Sequence, residues 1–274
     1  MKHRESRGER VNTRSGARLK QRVKQGLLDL ANVRRVHIVG CSRSGTTMLH
    51  YLMSAFEDSL LIDEETALWN TPDIGFVLRL LRARMQGQRE TLLVSKRNSS
   101  WHRPENIAAL ARYVREGNMF LVYLVRDPRD VLTSRHVLDD REHYVDFGFW
   151  RRSIEAGLEL QEQLGGYPHF LVIRYEDVVC SAAAVESVLH ERFGLRKRAG
   201  VTSIANLKDN LENLGLAGGQ MIAYMHDLRN LDPASIGRWK SDEAKRERVA
   251  ELFADGPRRE YLQRFGEIYG YSFT

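Results

Sequence analysis

Short apolar runs alternate along this chain with longer stretches that repeat at helical spacing. Residues 36–39, 91–95, 120–125 and 170–173 are brief, rich in branched and aromatic side chains, and bounded by polar, Gly or Pro positions. That is the pattern of strands buried on both faces. Leu60-Leu61-Ile62 is a further apolar run that would end another strand. Between these runs, residues 46–56, 73–84, 104–115, 147–164 and 182–193 carry apolar positions three and four apart and predict helices, with Pro104 at a favoured first helical position. Strands alternating with helices predict an α/β fold with a mostly parallel central sheet flanked by helices. From about Leu195 no convincing strand remains, so the last third is expected to be helical. In such sheets ligands bind beyond the carboxyl ends of the strands, where the loops after Val39 and Val125 lie.

With 274 residues and 42% hydrophobic content, the chain is long enough to bury one sizeable core. The net charge of +6 is unevenly spread. Residues 1–35 hold eleven Lys and Arg against Glu5, Glu9 and Asp29, which leaves +8 on this segment and −2 on everything after it. A basic, flexible arm over 1–35 and a single domain over 36–274 are therefore expected. A nearly neutral body argues against a nucleic-acid surface; the arm is either a solvated end or a contact for an anionic surface. Two cysteines, Cys41 and Cys180, are too few for a disulfide framework. No run reaches the ~18 apolar residues of a membrane span, and no signal-peptide pattern opens the sequence, so a cytoplasmic setting is expected.

Gly40-Cys41-Ser42-Arg43-Ser44-Gly45-Thr46-Thr47 follows the first apolar run and leads into a helical stretch. The spacing from Gly40 to Gly45 fits a phosphate-binding loop, yet Thr46 and Thr47 stand where a nucleoside-triphosphate hydrolase carries Lys and Ser or Thr. Backbone N–H groups, a helix N-terminus and the hydroxyls of Ser44, Thr46 and Thr47 suit an anion. The cation is displaced to Arg43, whose guanidinium would bridge two oxygens. Arg126, at the end of the third run, is followed eight residues later by Ser134 with helical spacing between, so both would face one anion. A surface helix with pairs such as Asp130 with Arg135 would read the same way.

Together these two segments resemble the sulfotransferases that use 3′-phosphoadenosine 5′-phosphosulfate. Arg43-Ser44-Gly45-Thr46-Thr47 is similar to the family's 5′-phosphosulfate loop, and Arg126 with Ser134 to its 3′-phosphate pair. Arg174-Tyr175-Glu176-Asp177-Val178 resembles a segment whose Tyr lies near the adenine, and Ile236-Gly237-Arg238-Trp239-Lys240 the segment that closes over the nucleotide. The chain departs from many cytosolic members at Met48, where they carry an adenine-stacking Trp. It departs again at Leu231-Asp232-Pro233-Ala234, where they carry Arg-Lys-Gly; Arg238 is the candidate substitute.

The resemblance implies a three-layer fold like that of P-loop nucleoside triphosphatases. It also implies sulfuryl transfer to an acceptor hydroxyl by in-line displacement, with 3′-phosphoadenosine 5′-phosphate as product. Basic side chains suffice for the charge that develops on the leaving oxygen, so no metal is required. Asp63-Glu64-Glu65-Thr66 resembles the Glu-Glu-Thr segment of tyrosylprotein sulfotransferases, which makes Glu64 the candidate base and Glu65 the next choice. Lys96, after the second run, would join Arg43 at the transferring group. His102 and His136 are rival bases, whereas His37 and His50 are expected in or beside the core. The acceptor is left open among a protein tyrosine, a carbohydrate, a lipid and a small metabolite. Two other readings remain: a nucleotide kinase or hydrolase with a degenerate loop, and a non-catalytic anion-binding module that uses the basic arm.

Overall fold

The computed structural model describes residues 33–62, 91–97, 100–117, 119–136, 140–214 and 230–273, with a few isolated positions besides. The Asp63–Thr66 segment, with Glu64 and Glu65, lies outside the described residues, as does nearly all of the arm over 1–32 and all but Leu81 and Arg82 of the helix expected over 73–84.

Five strands form one parallel sheet in the order β2-β3-β1-β4-β5. They are β1 (Val33–Gly40), β2 (Ser59–Leu61), β3 (Thr91–Arg97), β4 (Phe120–Val125) and β5 (Phe170–Arg174). Helix α1 (Thr46–Leu52) follows β1 and runs on into a tighter turn at Met53–Ala55; α2 (Pro104–Arg115) follows β3; α3 (Pro128–Leu132) and α4 (Phe147–Leu164) follow β4. After β5 come α5 (Tyr175–Cys180), α6 (Ala182–Phe193), α7 (Leu207–Asn213), short turns at Pro233–Ser235 and Arg238–Ser241, α8 (Glu243–Ala254) and α9 (Gly256–Tyr269). The last third is helical, as its pattern predicts.

Alternation along the central strands divides the core in two. Val39, Leu121, Tyr123 and Val125 point to one face, where Trp150, Ile154 and Leu160 of α4 and Leu262 and Phe265 of α9 cover them. Val36, Ile38, Val94, Val122 and Leu124 point to the other, beneath Leu49 and Leu52 of α1, Val185 and Leu189 of α6 and Leu211 of α7. This gives three layers around strands buried on both sides. Met48 and Leu231, the two departures from the family pattern, both pack against the second face.

Helix starts are set by aspartates that accept from their first turns: Asp127 from the Arg129 N–H at 2.8 Å, Asp146 from Phe149 at 2.8 Å, Asp242 from Lys245 at 3.1 Å and Asp255 from Arg258 at 3.0 Å. β1 begins at Val33, which pairs with Thr91, so Arg34 and Arg35 belong to the sheet rather than to the arm. Their side chains leave opposite faces of the strand. Arg34 donates to the Phe193 carbonyl at 3.1 Å, and Arg35 lies over the Tyr113 ring at 5.3 Å. Among the described residues no helix is long and apolar enough to cross a membrane.

Candidate active site

The carboxyl ends of β1, β3, β4 and β5 open on one edge of the sheet, and the loop from Gly40 to Thr47, Arg126 and Tyr175 lie there. At the centre is the loop from Gly40 to Gly45. A Cβ on Gly40 would lie 2.6 Å from the Leu124 carbonyl oxygen, so the chain leaves β1 through a space that admits only glycine. The Ser44 N–H closes a turn on the Cys41 carbonyl at 3.1 Å; Arg43 (φ 70°) and Gly45 (φ 94°) are both left-handed. No side chain caps α1, which leaves the orphan donors of its first turn directed at the loop. Ser44 and Thr46 are buried within it.

Arg126, just past β4, braces this loop. Its guanidinium donates to the Arg43 carbonyl at 3.2 Å and to the Ser235 carbonyl at 3.1 Å, and lies 3.5 Å from the Asp130 carboxylate. It is stacked 4.1 Å over the Tyr175 ring. Tyr175 donates its hydroxyl to Ser235 Oγ at 2.9 Å and closes the floor beneath Gly45. Two guanidinium groups nonetheless keep a buried N–H without a partner, Nε of Arg43 and Nε of Arg126. Nε of Arg174 and Nε of Arg248 share this state elsewhere in the fold, so it is the placement of these two beside the glycine turn that suits a ligand. Burial, and then the neighbouring Arg126 charge, lower the Arg43 pKa, against an opposing effect from Tyr144; the guanidinium still stays protonated at any ordinary pH. Two adjacent cations, a glycine turn and hydroxyls form a donor set that fits a nucleotide with more than one phosphate.

Other candidates occupy more varied positions. α3 ends at Leu132, so Ser134 sits in a turn beyond it and donates its hydroxyl to the Val131 carbonyl at 2.8 Å. Arg238 is exposed in the turn Arg238–Ser241. That turn is held by Asp130, which accepts from the Gly237 N–H at 2.8 Å and the Trp239 N–H at 3.3 Å. Lys96 lies inside β3 beside Ile38 of β1, 4% exposed. The strand continues to Arg97 because its pairing with β1 extends that far. Thr47 is half-buried on the first turn of α1. His37 and His50 are both in the core, as expected, bonded to Ser95 Oγ at 2.8 Å and to the Val94 carbonyl at 3.1 Å.

On the β3 side of the loop lies an aromatic wall. Trp101 is buried and donates its indole N–H to the Gly40 carbonyl at 2.9 Å, which places His102 next to the loop's entry. The His102 ring meets Phe149 edge-on at 5.3 Å, and its Nδ1 is buried without a partner. Burial, with Arg152 and Arg103 adding to it, holds the imidazolium below its ordinary range, so the ring is neutral near pH 7. His136 stacks on Tyr144 at 4.5 Å, and Tyr144 is fixed by its N–H to the Ser134 carbonyl at 3.0 Å. Beneath the wall, burial pushes the Cys41 thiol up to about 12. Among the described residues no group of three or more His, Cys, Asp or Glu could hold a metal ion.

Sequence reasoning missed Asp130, Ser235, Trp101 and Tyr144. Trp101 and Tyr144 were legible only as members of the Trp/His/Arg-rich loop after Lys96 and of the 139–150 segment, both candidate acceptor-cleft walls, and Asp130 as an acid in the first turn after Asp127-Pro128 that pointed to a surface pair with Arg135. Asp130 is instead 5% exposed.

A family model described as the sulfotransferase domain matches residues 34–183, more than half of the chain. No curated protein sequence matches. Among solved structures, the sulfotransferase domain from the curacin biosynthetic pathway is 16% identical, covering 79% of this chain and 96% of that one, with a TM-score of 0.53. The sulfotransferase domain from the olefin synthase of Synechococcus PCC 7002 is 18% identical, covering 82% and 96%, with a TM-score of 0.52. At these identities the likeness is one of fold.

Proposed function

The chain belongs to the sulfotransferase domain family, and from that premise we propose that it transfers a sulfuryl group from 3′-phosphoadenosine 5′-phosphosulfate to an acceptor hydroxyl. The observation that carries the donor assignment is the convergence of Arg43 and Arg126, each with a buried, unpartnered Nε–H, on the uncapped glycine turn before α1. When bound, the donor supplies a sulfuryl group already attached to a good leaving phosphate. The loop from Gly40 to Thr47 would hold its 5′ end through backbone N–H groups and the hydroxyls of Ser44, Thr46 and Thr47. Arg126 and Ser134 would hold the 3′-phosphate, with Ser134 turning its hydroxyl away from the Val131 carbonyl. Tyr175 supports Arg126 from below, and Arg238 lies on the turn that would close over the nucleotide. Arg43 and Lys96 would stabilise negative charge on the departing oxygen.

For the proton of the acceptor hydroxyl, the resemblance favours Glu64. His102 is a second reading, supported by its neutral ring and unpartnered Nδ1 beside the loop. Each predicts a different loss. Glu64→Gln is expected to lower transfer at least ~100-fold if the carboxylate takes the proton. If His102 takes it, His102→Gln has that effect, and the acid limb of kcat/KM falls with a midpoint below about 6.5, the free-histidine value. A normal rate in either variant removes that residue from the role.

The donor is tested by calorimetric titration with 3′-phosphoadenosine 5′-phosphate, AMP and ATP, first without added metal and then with Mg²⁺. The 3′,5′-bisphosphate is expected to bind much the tightest and to lose that advantage in Arg126→Ala. Binding of ATP alone, and only with Mg²⁺, would instead support a nucleotide kinase.

A further inference from the structure

Arg126 is followed in the chain by two carboxylates, Asp127 and Asp130, and either could neutralise it. Asp130 lies 3.5 Å from Arg126 but also accepts from the Gly237 and Trp239 N–H groups. Asp127 is taken by Arg129 instead. The Arg129 Nε lies 3.0 and 3.2 Å from the two Asp127 oxygens and its Nη2 2.8 Å from Oδ2, while the Arg129 backbone N–H donates to Oδ1 at 2.8 Å. Both side chains are largely buried, 15% and 10% exposed. Arg129 is in turn held by residues distant in the chain. Its Nη2 donates to the Ser272 carbonyl at 3.0 Å, and its guanidinium carbon lies 4.9 Å over the Trp239 ring and 4.9 Å over the Phe273 ring. Tyr271 secures the same stretch by donating to Glu176 at 2.6 Å, and the other oxygen of Glu176 accepts the Asp127 N–H at 3.0 Å.

A bidentate grip of this kind commits the Asp127 charge to Arg129. Without it, a buried carboxylate would stand one residue from Arg126, competing with an incoming phosphate for the guanidinium and repelling the phosphate itself. The Arg126 Nε–H is buried without a partner, the state expected of a guanidinium that Asp127 has not claimed. We propose that Arg129 is a positioning residue for the donor: by holding Asp127 it keeps Arg126 available to the 3′-phosphate, and Tyr271, Ser272 and Phe273 keep Arg129 in place. This role rests on the donor reading above and gives a part in it to residues which that reading does not use.

The probes are 3′-phosphoadenosine 5′-phosphate and AMP, titrated calorimetrically into the full chain, with a urea midpoint to confirm that each variant is folded. The parent is expected to prefer the bisphosphate. Arg129→Gln should reduce that preference about tenfold, the effect of one uncompensated charge near the phosphate. Asn caps a helix as well as Asp does, so adding Asp127→Asn removes the loose carboxylate while α3 stays capped. In the Asp127→Asn/Arg129→Gln double variant the preference should return to within about twofold of the parent's, whereas a merely structural role predicts a second loss added to the first. An unchanged preference in Arg129→Gln, or no recovery in the double variant, would overturn the role of Arg129 and leave the donor reading intact. If Arg129→Gln does not fold, Arg129→Lys takes its place, with a loss of about threefold because a point charge replaces the bidentate grip. The same recovery by Asp127→Asn is then expected, and absence of the loss or of the recovery overturns the role equally. A parent chain that binds both nucleotides equally, or neither, would overturn the donor reading and this role with it.

Discussion

Replacing Gly45 by alanine tests how the Gly40–Gly45 loop is supported. The residue has φ 94°, and a Cβ there would sit 2.5 Å from Cδ2 and 2.8 Å from Cε2 of Tyr175. Left-handed backbone costs a residue with a side chain about 1–2 kcal/mol, and forcing an extra carbon into a packed space typically costs about 1–3 kcal/mol more. Tyr175 cannot simply step aside, because its ring carries the Arg126 guanidinium and its hydroxyl is bonded to Ser235. Yielding would sacrifice that hydrogen bond, worth about 1 kcal/mol. The expected loss of unfolding free energy is about 3 kcal/mol, read from the shift of a urea midpoint at constant slope. A second consequence separates this account from general destabilisation. On the proposed donor assignment, molecules still folded should bind 3′-phosphoadenosine 5′-phosphate at least ~10-fold more weakly, a difference of about 1.4 kcal/mol, because Arg126 has lost its support. A variant within 0.5 kcal/mol of the parent and unchanged in bisphosphate affinity would refute the claim that Gly45, Tyr175 and Arg126 form one stack.

Two further outcomes follow from neighbouring groups. Iodoacetamide at pH 8 should label Cys180, which is exposed, and spare Cys41, whose thiol is buried and pushed up to about 12; mass spectrometry should find one adduct on the native chain and two in urea. Asp130→Asn should cost about 2 kcal/mol in a denaturant titration, since the amide cannot accept from both the Gly237 and Trp239 N–H groups while facing Arg126, and wild-type stability would refute the buried bridge.

What could be read in advance followed from local physics. Helices α2, α4 and α6 begin and end at the expected residues because proline, glycine and apolar spacing act within a few positions. β4 is bounded as its apolar run is, whereas β1 and β3 extend further at their ends because pairing recruits polar residues such as Arg34 and Lys96. The glycine turn and its arginine were visible as a motif. The groups that hold it were not. Ser235 reaches Arg126 across 109 positions of chain, Trp101 reaches Gly40 across 61, and Tyr271 donates to Glu176 across 95. None of these contacts has a period or a spacing that could announce it. Asp130 was misleading because a carboxylate in an Arg-rich helix looks the same whether it faces water or two backbone N–H groups.

The long reach of Arg126 also sets an order of events during synthesis. The loop and both of its cations have been made by residue 126, yet the Ser235 carbonyl that fixes Arg126, and the Gly237–Trp239 turn that clasps Asp130, are translated more than a hundred codons later. A ribosome-bound chain ending before them can assemble all five strands and still lack a settled grip on an anion. On the proposed donor assignment, capture of the bisphosphate would report that the helical last third has docked, and nucleotide present during refolding would hold that segment in place once docked without speeding the steps before it.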